Sequence, residues 1–227
     1  MSVLIRAGIL ALGAVLLIPS GSARGEAAPQ ETLLLVVEAP SAKETITVLR
    51  DSDAQEEDFE TYLTQVVLSE MPADFATEAL KAQAVAARTF ARRQMAGGKH
   101  ADADVCSQSA CCQACLSVDA LQERYGAAFD AAWDKASNAV QQTQDEVLTY
   151  GGALIDAVYF SCSGGSTEAA AAVWGTDVPY LQAVDSPGEQ DAAPYASTVT
   201  CSPAEFAETL GLAADGDPAG WLGGTSY

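Results

Sequence analysis

An α+β fold, with a helical core around an alanine-rich central helix and short β-strands beside it, follows from three features of the sequence. Stretches 59–70 and 77–94 carry apolar residues at helical spacing. Short β-rich runs, "TLLLVVEA" and "ETITVLR", precede them, and "VLTYGGALI" follows. Helices and strands do not alternate, which argues against a parallel βαβ sheet.

Each element has a local cause. "TLLLVVEA" and "ETITVLR" read as two strands parted by Pro40 and Ser41. An acidic loop, "DSDAQEED", leads into an amphipathic helix carrying Phe59, Tyr62, Leu63, Val66 and Val67. Pro72 forces Met71 out of helical geometry and ends that helix. Asp74 or Thr77 is expected to cap the next one, which stops at Gly97-Gly98. Its alanines, among them Ala84, Ala87 and Ala91, make it slim enough for neighbours to pack closely. A helix follows over about 118–144, then a strand pair turning at Gly151-Gly152. A glycine-rich turn enters a short helix with Ser166 or Thr167 as cap, and "PYLQAVDSP" is extended. Ser202 caps the last helix, with Pro203 at its first position.

The charge is unusual: 31 acids stand against 11 bases, a formal net charge of −20. Such a chain repels anionic polymers, which argues against a nucleic-acid partner. Yet five bases, Lys81, Arg88, Arg92, Arg93 and Lys99, fall within nineteen residues. They form either a solvated helix face or a positive patch serving a site. At the N-terminus, Arg6, the apolar "AGILALGAVLLIP" and the small residues of "SGSARG" predict a signal peptide over 1–23 and export to the periplasm or cell-wall space. No later segment approaches transmembrane length. After the signal, 24–58 reads as N-terminal strands and acidic loop, and 59–227 as the main domain.

Three groups of residues can carry chemistry. Glu70 stands beside the Met-Pro break, where a carboxyl shielded by Leu68, Met71 and Phe75 would suit a proton donor. Lys81 and Arg88, two helical turns apart, share a face that could bind substrate oxygens. A surface glutamate paired with a base is the plainer alternative. "HADADVCSQSACCQAC" gathers His100, the lone histidine, with Cys106, Cys111, Cys112 and Cys115. These are ligand types that zinc prefers. Spacing alone puts disulfides first, with Cys162 and Cys201 making the count even, and a Cys112–Cys115 redox pair third. One cluster cysteine with His100 would also suit a Cys-His peptidase. In "YFSCSGGSTE", hydroxyls and backbone N–H groups around two glycines can cap a helix or hold sugar hydroxyls; the Gly-x-Ser-x-Gly elbow is absent.

Together "YLTQVVLSEMPADFATEALKAQAVAARTFA", "ADVCSQSACCQ" and "YFSCSGGSTEAAAAVWGTDVPYLQAVDSP" resemble the SpoIID/LytB family, stage II sporulation protein D and its amidase-enhancer relatives, across about residues 59–187. The resemblance implies a SpoIID-like fold and a lytic transglycosylase. Its substrate would be peptidoglycan glycan strands stripped of stem peptides, cut between MurNAc and GlcNAc to leave 1,6-anhydro ends. Its alternative is a non-catalytic enhancer of an N-acetylmuramoyl-L-alanine amidase. It places the catalytic acid on Glu70 and substrate binding on Lys81, Arg88, Ser163, Gly164 and Gly165. It also implies structural zinc on His100, Cys106, Cys111 and Cys112, with Cys111 where the family has a second histidine. Thiolate is also a zinc ligand, so the donor set stays complete and metal rises above disulfides. Gln113 follows the last ligand as in the family, whereas Cys115 matches no family role. The family's domain continues to a segment resembling GxGxGHGVGMSQ, whereas this sequence ends in "GWLGGTSY". A C-terminally truncated domain is therefore the expectation.

Overall fold

The computed structural model describes residues 15–17, 33–37, 44–191 and 200–211. They fall into two compact units divided between Phe160 and Ser161, inside the span expected to be one domain. Of the expected signal peptide, only Val15–Leu17 lies among the described residues, as a short strand. The mature start at 24–30 lies outside them.

In the first unit, strands β1 (Val15–Leu17) and β2 (Leu33–Val37) pair antiparallel. The second run forms β3 (Thr45–Arg50), which joins a different sheet. There it pairs antiparallel with β4 (Asp53–Asp58), from Thr45 opposite Asp58 to Arg50 opposite Asp53. The acidic stretch expected as a loop is therefore a strand. Its backbone pairs with β3 while Asp53 and Glu56 face water, a common guard on a sheet edge, and Glu57 pairs with Arg50 at 2.8 Å. Asp51, at φ 52°, makes the tight turn.

Asp58 starts α1 (Phe59–Glu70) by accepting from the Thr61 N–H at 3.0 Å. Tyr62 to Leu68 are buried without a break, so α1 is enclosed on all sides instead of presenting one apolar face. Next, α2 (Thr77–Met95) starts without either expected cap: Ala76 holds that position and makes no side-chain bond. Ala84, Ala87 and Ala91 are fully buried, and the helix packs against its neighbours through this slim face, as its composition predicts. Gly98 is required just beyond the helix, because a Cβ there would lie 2.7 Å from the Gln94 carbonyl oxygen.

After β5 (Val105–Cys106), which runs parallel to β3, the expected single helix is two. They are α3 (Val118–Tyr125) and α4 (Phe129–Gln142), split by a 3₁₀ turn that Gly126 opens at φ 52°. Strands β6 (Glu146–Tyr150) and β7 (Ala153–Leu154) then form the expected hairpin, and β6 completes the first sheet against β2. The core gathers Ile46, Val48, Leu63, Val66, Leu80 and Val140 among others: α1 and α2 pack on the β3 sheet, and α4 packs on those two helices. Among the described residues, no helix is long and apolar enough to cross a membrane.

In the second unit, α5 (Ala170–Trp174) and α6 (Pro203–Leu210) are short. Ser202 and Glu205 form a capping box on α6, as the sequence predicts. Neither Ser166 nor Thr167 caps α5, whose N-cap is Ala169. Thr167 instead bonds Val184 in both directions, its N–H to the carbonyl and its hydroxyl from the N–H, each at 2.9 Å.

Candidate functional site

Glu70 is the last residue of α1, and Met71 leaves it at φ −131°, ψ 133°, the extended geometry Pro72 demands. The half-buried carboxyl turns toward the loop after Cys112, and its Oε1 accepts from the Ala114 N–H at 2.6 Å. The Tyr159 hydroxyl lies beside the same carboxyl, near enough to feel its charge. Burial, with the Glu70 charge beside it, raises the Tyr159 phenol far above its ordinary range, so it stays protonated. A buried relay sets the direction of that proton. Tyr62 donates to Gln113 Oε1 at 3.0 Å, and Gln113 Nε2 donates to the Tyr159 oxygen at 3.1 Å. Tyr159 therefore has its single proton left for Glu70. The expected shield of Leu68, Met71 and Phe75 does not form as such: Leu68 points into the core and Phe75 is 49% exposed. Ala114 and Tyr159 enclose the carboxyl instead. Tyr159 escaped the sequence reading although it opens the "YFSCSGGSTE" stretch; a phenol inside an apolar run was the available signal.

Lys81 lies half-buried on the first turns of α2 and pairs with the exposed Glu78 at 2.8 Å. Arg88 corrects the expectation that it faces substrate. It is fully buried, and its guanidinium donates to the carbonyls of Thr143 at 2.7 Å and Val140 at 3.0 Å, at the C-terminal end of α4. Burial lowers its pKa, with Glu60 opposing. The other bases serve the fold as well. Arg92 pairs with Glu44, Arg93 donates to the Leu154 carbonyl and Lys99 to that of Cys111. The basic run is thus divided: Arg88 and Arg92 are drawn into the fold, Arg93 and Lys99 tie strand and loop from exposed positions, and Lys81 stays paired on its own helix.

The four donor atoms of His100, Cys106, Cys111 and Cys112 lie within 4.8 Å of one another. His100 Nε2 stands 3.4 Å from the Cys112 sulfur and 3.7 Å from that of Cys111. A tetrahedral zinc site sets such separations at about 3.5–3.8 Å, so the donors fit one ion. Burial pushes the Cys112 thiol up to about 12, with the neighbouring cysteines adding to it, so thiolates gather here only with a cation among them. All six cysteines are free, and the expected disulfide framework does not form. The redox alternative finds no reactive thiolate in Cys115. Cys115 is buried beside Arg50, and burial pushes its thiol up to about 11, the wrong direction for a reactive thiolate.

In the second unit, Ser163, Gly164 and Gly165 form the glycine turn, with Gly164 at φ 80° and Gly165 at φ 108°. The Glu189 carboxylate occupies it. Its Oε2 accepts from the Ser163 hydroxyl at 2.7 Å, the Ser163 N–H at 2.8 Å and the Gly165 N–H at 2.9 Å. The Ser163 hydroxyl above all, with these N–H groups and Ser186, holds Glu189 down at about 2. The expectation that this turn binds substrate therefore meets an internal carboxylate already seated there.

The family profile for Stage II sporulation protein, SpoIID, matches residues 52–150. Stage II sporulation protein D of Bacillus subtilis (strain 168) is 40% identical over 163 residues, 70% of this chain and 48% of that protein. The protein of the same name from Bacillus amyloliquefaciens is 34% identical over 220 residues, 90% of this chain and 64% of that one. The chain belongs to the SpoIID family. An amidase enhancer of Bacillus subtilis (strain 168) is 40% identical over 119 residues, 52% of this chain and 14% of the enhancer. This SpoIID-family chain spans about half to two thirds of the two sporulation proteins' lengths. The profile covers Glu70, Lys81, Arg88 and the four clustered donors; Tyr159 and the glycine turn follow it.

Proposed function

We propose that this SpoIID-family chain is an exported lytic transglycosylase that remodels peptidoglycan, cutting denuded glycan strands with Glu70 as general acid and base. The observation that supports it is the Glu70 carboxyl fixed at the end of α1 between the Ala114 N–H and the Tyr159 hydroxyl. Glu70 gives a proton to the oxygen between MurNAc and GlcNAc as that bond breaks. It then takes the proton of the muramic C6 hydroxyl, whose oxygen bonds the anomeric carbon and closes the 1,6-anhydro ring. The internal hydroxyl replaces the second carboxylate that glycosidases ordinarily need. Lys81 can leave the exposed Glu78, a weak surface pair, to meet substrate oxygens. Zinc on His100, Cys106, Cys111 and Cys112, when bound, supplies a structural cross-link. Those residues fix the loop that carries Gln113 and Ala114 to Tyr159 and Glu70.

Mass spectrometry of denuded glycan strands incubated with the purified chain tests the reading. Anhydro-ended products are expected, with Glu70→Gln slower by about 10²–10⁴-fold. Equal release by Glu70→Gln would sink the assignment. The similarity to an amidase enhancer favours a second reading, a glycan-binding module that activates a cell-wall amidase. In that case the chain alone yields no anhydro ends but accelerates an added amidase.

A further inference from the structure

Beside the Glu70 turn lies an open groove of about 530 Å³ whose walls include Pro72, Asp74, Arg124, Tyr125, Lys135 and several alanines. Both of its cations reach the turn. Lys135 Nζ donates to the carbonyls of Ala73 at 2.8 Å and Phe75 at 2.6 Å. Arg124 Nη1 reaches those of Leu68 and Ser69 at 3.4 and 3.3 Å, and its guanidinium lies 5.7 Å from the Tyr125 ring centre. Tyr125 itself donates to the Leu68 carbonyl at 3.2 Å.

Carbonyls neutralise no charge. Among the described residues neither cation has a carboxylate within ion-pair distance, in a chain with 31 acids and 11 bases. Arg124 keeps Nε and Nη2, and Lys135 one N–H, beyond the bonds named above. Asp74 on the same wall disfavours a polyanion but can accept from a sugar hydroxyl. An aromatic ring, a lining of small residues and two uncompensated cations suit a sugar that bears a single carboxylate.

We propose that this groove is a glycan subsite in which Arg124 and Lys135 bind the free lactyl carboxylate of muramic acid. The inference rests on the glycan-cleaving reading above and adds a basis for substrate choice. A muramic acid that still carries its stem peptide has an amide at that position, and the cations gain no ion pair from it. Arg124 holds the carbonyls just before Glu70 and Lys135 those of the turn just after it, so strand binding and placement of the acid share their residues.

Titration calorimetry tests the subsite with the full chain and a tetrasaccharide of alternating GlcNAc and MurNAc, its lactyl groups either free or methyl-esterified. Free carboxylates are expected to bind at least tenfold tighter than the ester. Arg124→Gln and Lys135→Gln should each abolish most of that difference, and an unchanged circular-dichroism spectrum and melting transition show that the variants are folded. Lys135→Arg should restore the difference. If the parent binds both forms equally, or the variants keep the preference, the subsite is wrong while the reaction stands. If the parent binds neither form, both readings fall.

Discussion

Arg88 in the first unit, held by backbone carbonyls, and Glu189 in the second, held by two hydroxyls and two N–H groups, are both charged side chains whose hydrogen-bond partners are neutral, yet their surroundings differ. Arg88 is fully buried against the end of α4, where water cannot replace the Val140 and Thr143 carbonyls. Glu189 sits at a turn of a unit whose buried apolar residues, among those described, are only Ala170 and Ala207. A contact of similar geometry weighs more where its loss strands partners out of reach of solvent. The first unit should therefore respond to single changes far more sharply than the second.

Arg88→Met gives the largest expected effect on stability. Leaving the α4 carbonyls without their donor and Glu60 without the cation 3.7 Å away should lower unfolding free energy by about 3–5 kcal/mol, read from urea denaturation. A variant as stable as the parent that no longer turns over glycan would return Arg88 to substrate binding. Metal removal comes next. One zinc per chain is expected by elemental analysis, and chelation should forfeit about 2.7 kcal/mol when zinc stands 100-fold above its Kd. Cys112→Ser should make stability indifferent to the chelator.

A paired substitution sharpens the contrast. Ala87→Leu, at a fully buried contact of α2, should cost about 1–3 kcal/mol by overpacking. Val173→Ala, at a position 56% exposed in the second unit, should stay within about 0.5 kcal/mol. Equal costs would erase the difference between the units. The smallest effect belongs to Glu189. Its folded pKa of about 2 lies below the carboxylate's ordinary value of about 4.3, so its stabilisation is full above the latter and disappears as pH falls through the former. The Ser163 and Gly165 amide resonances should shift over that window, and Glu189→Gln should abolish the titration.

Much of the local architecture was legible because its causes act within a few residues. Pro72 ended α1, Gly151-Gly152 turned the hairpin and Ser202 capped α6, each as predicted. The cluster of candidate metal donors was legible for the same reason, since all four fall within thirteen residues. Charge misled in two places. "DSDAQEED" looked too acidic for a strand, although only its backbone had to pair with β3. The basic run on α2 suggested a site, although its side chains found carbonyls and carboxylates elsewhere in the fold.

The sequence by itself determined the family, the α+β class, the exposed break beside Glu70 and the supply of metal donors. Tertiary structure alone decided what each polar side chain meets. It brought Tyr62, Gln113 and Tyr159 into one relay ending on Glu70, withdrew Arg88 into the core and turned Arg124 and Lys135 toward the Glu70 turn. Helix and turn signals are read over a few neighbouring positions, whereas these partners stand more than forty residues apart along the chain. Their pairing depends on how α1, α2 and α4 pack, which no local pattern encodes.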